Sequence, residues 1–137
     1  MSVRQLHSSN SKWEAVFGFS RAVEVDDTLY ISKTGALNSN GEITATSVAE
    51  QTRIVLENIS RVLEQANFKL DDVIQSRMYL TEIDQWQEAA TVHGEYFNEI
   101  RPAFTLLHVL PFPERKMIVA MEVVARRQKT VDIPESA

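Results

Sequence analysis

The sequence predicts an α+β domain: a mixed β-sheet with two helices packed on one face. Three observations carry this prediction. Two stretches place apolar residues at helical spacing, several shorter stretches read as strands, and the last two strands are apolar on both sides. The 137 residues are 44% hydrophobic, enough for one core. Residues 1–126 are expected to form a single domain, followed by a polar tail at 127–137 that contains Pro134.

Residues 3–7 add an edge strand to this scheme. Residues 21–25 and 28–35 flank Asp26-Asp27, a polar pair suited to a hairpin turn. A helix then starts at Val48, with Val55, Leu56, Ile59, Val62, Leu63 and Ala66 continuing one stripe. Ser47 with Glu50 makes a capping box at its start, and Asn67, able to turn left-handed, stops it. Residues 73–80 form a strand in which Ile74, Met78 and Leu80 alternate with Gln75, Arg77 and Tyr79. The second helix runs over 84–98, with Trp86, Ala89, Ala90, His93, Tyr96 and Phe97 inward and Pro102 preventing much extension.

Strands at 104–110 and 117–126 follow, joined by Pro111-Phe112-Pro113-Glu114-Arg115, which cannot continue a ladder. In the first, Phe104, Leu106 and Leu110 oppose Thr105, Leu107 and Val109; in the second, Met117, Val119, Met121 and Val123 oppose Ile118, Ala120 and Val124. Helices can cover only one of these apolar faces. The other is expected to meet another subunit.

Charge and composition exclude several functions. Lys and Arg number 14 against 19 Asp and Glu, a net charge of −5, so no nucleic acid or anionic membrane partner is expected. The absence of cysteine removes disulfides, thiolate metal sites and a cysteine nucleophile. The first residues lack a signal-peptide pattern and no run approaches a bilayer span, which suggests a cytoplasmic protein. His7, His93 and His108 lack ligand spacing, so neither a metal site nor a cofactor is expected. Asn38-Ser39-Asn40-Gly41 reads as a turn, not a phosphate loop.

An ordered set of short segments carries more information. These are Leu29-Tyr30-Ile31-Ser32, Gln51-Thr52 with Asn58-Ile59, Asp72-Val73, Tyr79-Leu80-Thr81, Pro102-Ala103 and Glu122-Val123-Val124-Ala125. Over roughly residues 4–126 the chain resembles the reactive-intermediate deaminase family, Rid or YjgF. Gly18-Phe19-Ser20-Arg21-Ala22-Val23 and His93-Gly94-Glu95-Tyr96-Phe97 mark it as a divergent branch. The resemblance implies a fold like that of chorismate mutase, a homotrimer whose sheets make a central barrel, and small-molecule clefts between subunits. It also implies hydrolysis of imines to keto acids and ammonia.

The chemistry calls for a cation on the substrate carboxylate, a positioned water, and groups that stabilise the imine as water adds. Measured against the family, this chain departs at each point. The arginine that grips the carboxylate is Phe104, a cleft tyrosine is Phe19, and the serine-glycine step is Ser32-Lys33. A water-associated glutamate falls on Ala120, with Glu122 two residues along on the same face. The expected ligand-binding residues are therefore Phe19, Arg21, Ser32, Lys33, Phe104, Leu106 and Ala120, with Glu122 and His93 as catalytic candidates.

Each candidate also has a structural reading. Lys33 replaces the lost cation or extends into solvent, and Arg21 lines the cleft or pairs with a carboxylate across strands. His93 is a base or a buried histidine bonded to backbone. Glu122 activates water or pairs with Arg77. Arg101, held extended before Pro102, belongs to the surface. A standard 2-imino acid deaminase is disfavoured without the bidentate arginine. Two functions remain: a divergent hydrolase of an imine, enamine or related compound, and a ligand-binding or regulatory homotrimer without turnover. An endoribonuclease ranks last.

Overall fold

A computed structural model of the chain describes residues 3–128. In chain order the elements are β1 (Gln5–His7), α1 (Lys12–Phe17), β2 (Ala22–Val25), β3 (Thr28–Gly35), α2 (Val48–Gln65), β4 (Val73–Leu80), α3 (Trp86–Phe97), β5 (Ala103–His108) and β6 (Val119–Arg126). They build one six-stranded sheet in the order β1-β2-β3-β6-β4-β5. Only β4 and β5 pair in parallel, joined by the α3 crossover; every other pair is antiparallel.

Helices α2 and α3 cover one face, and the core lies beneath them. Val48, Val55, Leu56, Ile59 and Leu63 of α2 pack with Ala89, Val92 and Phe97 of α3 on Leu29, Ile31, Met78, Val119, Met121 and Val123. The ends of α2 lie where the sequence predicts, with the Ser47 half of the capping box in place. Ser47 Oγ accepts from Glu50 N at 3.1 Å. Asn67 turns left-handed at φ 61, and Phe68 N and Asn67 N donate to Leu63 O and Glu64 O, which closes the last turn. Asp26 and Asp27 both take positive φ, the twist a two-residue hairpin needs.

Several expectations need correction. Among the described residues there are three α-helices, not two: Ser11 caps α1 and Gly18 ends it at φ 74, but none of its residues is buried, so no apolar stripe announces it. Ile74 is exposed and does not join Met78 and Leu80, because a bulge between Val73 and Gln75 turns it outward. Trp86 is exposed at the start of α3, which begins after a 3₁₀ turn at Ile83–Gln85. Arg101 is left-handed at φ 55 rather than extended, because its N–H bonds back to Phe97 O at the helix end.

β6 begins at Val119, two residues later than expected, for a specific reason. The buried Gln51 amide accepts from Ile118 N and Val119 N at 3.1 and 3.3 Å and donates to Ala45 O and Lys116 O at 2.9 and 2.8 Å. One side chain thus replaces ladder bonds for the segment entering the strand. Of the predicted tail, Arg127 is anchored to Glu24, Asp27 and the Ala66 carbonyl; from residue 129 the tail lies outside the described residues.

Candidate functional site

The sheet face opposite α2 and α3 carries the polar groups. Along it, Tyr30 of β3, Glu122 and Val124 of β6, and Gln75 and Arg77 of β4 line a hollow of about 250 Å³. Arg77 and Glu122 are cross-strand partners, and Arg77 Nη1 donates to Glu122 Oε1 at 2.9 Å. Tyr79, two residues along and on the same face, donates its hydroxyl to the same oxygen. Burial pushes the Glu122 carboxyl up, but the hydrogen bonds from Tyr79 and Arg77 outweigh it and leave the group below its ordinary range. Burial and the Glu122 bond raise the Tyr79 phenol. At neutral pH, Glu122 is therefore an ionised acceptor that cannot serve as an acid.

Opposite Glu122 the neighbouring strand bulges. Ile31 pairs with Val123 and Thr34 with Met121, so Ser32 and Lys33 together face the one residue Glu122. Ser32 and Glu122 also share a larger hollow of about 600 Å³ with Phe19, Tyr30 and residues of α1. The exposed Lys33 places its ammonium 5.0 Å from the Phe112 ring. Phe112 in turn packs against Ile43, Met117 and the fully buried Ala120. Five expected residues thus gather on one side: Phe19, Ser32, Lys33, Ala120 and Glu122.

Arg21 reaches this group only from its rim. It donates to Ser32 Oγ and the Lys33 carbonyl, capping the edge of β3 where β2 stops. Among the described residues Arg21 forms no ion pair, so of its two readings the cross-strand pairing with a carboxylate is not seen. Burial lowers its pKa.

Phe104, Leu106 and His93 stand elsewhere. Leu106 packs on the helix-side core. His93 is buried, and its partner is a side chain rather than backbone: Nε2 lies 2.7 Å from Ser76 Oγ. Phe104 stacks on the His93 ring with centroids 3.9 Å apart, and Phe97 tilts against it at 4.7 Å. Burial takes the His93 pKa from 6.5 down to about 4, so the ring is neutral. The family-arginine position therefore fills a packing role within the chain. From the Ser32–Lys33 bulge to β5 the sheet takes three inter-strand steps, through Glu122 and Arg77, roughly 14 Å. One chain cannot bring Phe104 to Lys33.

Tyr30, Gln75 and Tyr79 are the site residues that sequence reasoning missed. The period-two spacing of Arg77 and Tyr79 was a usable signal for the latter. Among the described residues no cluster of His, Cys, Asp or Glu could hold a metal ion, and no helix is long and apolar enough to cross a membrane.

The fold is a mixed sheet of the YjgF type, with helices α2 and α3 on one face. Residues 9–127 match the family model described as Endoribonuclease L-PSP. A RutC family protein of Saccharolobus solfataricus is 34% identical over 110 residues, 80% of this chain and 86% of its own. The human 2-iminobutanoate/2-iminopropanoate deaminase is 28% identical over 124 residues, covering 90% of each chain. A crystal structure of a YjgF/YER057c/UK114 family member from Mycobacterium tuberculosis superposes with a TM-score of 0.82 at 31% identity, over 91% of this chain and 100% of that one. The chain belongs to the Rid/YjgF family.

Proposed function

We propose that this protein binds a small reactive metabolite in clefts between the subunits of a homotrimer. It hydrolyses the C–N bond of an imine, enamine or related compound without the carboxylate clamp of a standard 2-imino acid deaminase. One observation carries this reading: a carboxylate kept ionised, Glu122, faces the Ser32–Lys33 bulge on the uncovered sheet face. A second copy, presenting its β5 edge with Phe104, would complete the wall that one chain leaves open. Catalysis then needs water added across C=N: its oxygen bonds to carbon, a proton passes to nitrogen, and the carbinolamine expels ammonia. Glu122 accepts a hydrogen bond from that water, and the Lys33 ammonium faces the ligand's anionic group.

The test is keto acid formed from imines released in situ by an amino-acid oxidase, measured above the spontaneous rate. Acceleration that falls in Lys33→Ala and Glu122→Gln supports the proposal. No acceleration with any side chain sinks it. That outcome favours the second reading, a binding protein without turnover, for which the engagement of Glu122 by Arg77 and Tyr79 is the supporting observation. The endoribonuclease description of the family is not carried over, since acidic side chains outnumber basic ones 19 to 14.

A further inference from the structure

On the helix side, between α2 and the N-terminal end of β2, lies a third hollow of about 580 Å³. Its charged lining consists of two arginines, Arg21 and Arg61, and no carboxylate; serine, asparagine, threonine and glutamine side chains supply the rest of its polar wall. In a chain of net charge −5 this is an unexpected concentration of cation.

Both guanidinium groups are held by neutral acceptors. Arg61 donates to Asn58 Oδ1, and Asn58 is itself fixed by bonds to the Gly35 and Leu37 carbonyls, each 3.0 Å. Arg21 donates to Ser32 Oγ and Lys33 O, and its buried Nε has no partner. Neither arginine forms an ion pair among the described residues. Glu14, the acid with most influence on Arg21, faces the other hollow and is engaged by Ser9 N and Oγ at 3.0 and 2.6 Å. Two positioned forks therefore place positive charge, without an ion pair among the described residues, beside a wall of neutral polar side chains. Guanidinium geometry matches tetrahedral oxyanions, and the space suits a small organic molecule.

We infer that this hollow is an anion site for a phosphate monoester or inorganic phosphate, distinct from the sheet-face cleft. The site uses Arg61 and Arg21 as the charged contacts, with Asn38, Asn58 and Ser9 beside them.

The experiment titrates the full chain with inorganic phosphate at constant ionic strength and follows backbone amide shifts by NMR, with acetate as the carboxylate arm. Saturating shifts at Ser9, Thr34, Asn38 and Asn58, weakened at least about tenfold in Arg61→Gln, are expected. Arg61 is exposed, so this variant keeps the fold. Linear shifts without saturation, or shifts unchanged in Arg61→Gln, overturn the site. Equal binding of acetate overturns the phosphate assignment. The readout does not involve turnover, so it fails or succeeds independently of the imine assay.

Discussion

His93 gives the most sharply defined prediction. The ring is buried against Phe97 and Phe104 and bonded to Ser76, and burial lowers its pKa from 6.5 to about 4. The unfolded chain binds a proton here near pH 6.5 and the folded chain only near 4, so between those values the unfolded state holds more protons. Stability from this group is therefore complete above about pH 6.5, declines as pH falls toward about 4, and is constant below. The full displacement corresponds to about 3 kcal/mol at ~1.4 kcal/mol per pH unit. The stacked Phe104 is partly exposed, and solvent screening on that side reduces the expected loss to about 1–2 kcal/mol. Urea unfolding at about pH 7.5 and about pH 4.5 measures it. His93→Gln, which cannot titrate, subtracts the contribution of the carboxylates. Wild type should lose about 1–2 kcal/mol more than His93→Gln on acidification. Equal losses, or an NMR titration of His93 at the ordinary histidine value, would refute the reasoning.

Other perturbations follow from particular contacts. Gln51→Leu strands two amides at the start of β6 and the Ala45 and Lys116 carbonyls, and should cost about 2–4 kcal/mol, read as a lowered Tm. A Cβ on Gly35 would stand 2.4 Å from Met117 Cε, so Gly35→Ala forces that flexible methyl aside, at about 1–2 kcal/mol by urea denaturation. Phe104→Arg should create or raise keto-acid formation if the handle alone is missing, and no gain would show that Phe19 and Ala120 matter too. Glu122→Gln keeps the shape but removes the charge that holds Arg77 and Tyr79; loss of turnover without loss of ligand binding is expected from paired kinetic and calorimetric measurements.

Much of the fold could be read in advance because local signals agreed with one another. The α2 stripe, its Ser47 cap, the Asn67 stop and the Asp26-Asp27 turn each form as their chemistry requires. Where the sequence reading failed, longer-range contacts decided. Ile74 obeys period two until a bulge turns it out, and Gln51, which is not part of the apolar α2 stripe, is buried because its amide bonds four backbone groups. The site was half legible. Arg77 and Glu122 pair as expected, whereas no local signal could show that Phe104 stacks on His93 on the helix side. Strand order, which is not written locally, separates Phe104 from Lys33.

That separation also gives the most direct test of the central claim, that the cleft forms between two copies. The chain has no cysteine, so Lys33→Cys and Phe104→Cys can be introduced as the only thiols. Within one chain they lie roughly 14 Å apart across three strand intervals, beyond disulfide reach. Mild oxidation of the double variant, followed on a non-reducing gel, should yield covalent dimers and trimers, with neither single variant giving the ladder. Double-variant chains that remain monomeric under the same oxidation would contradict the intersubunit site.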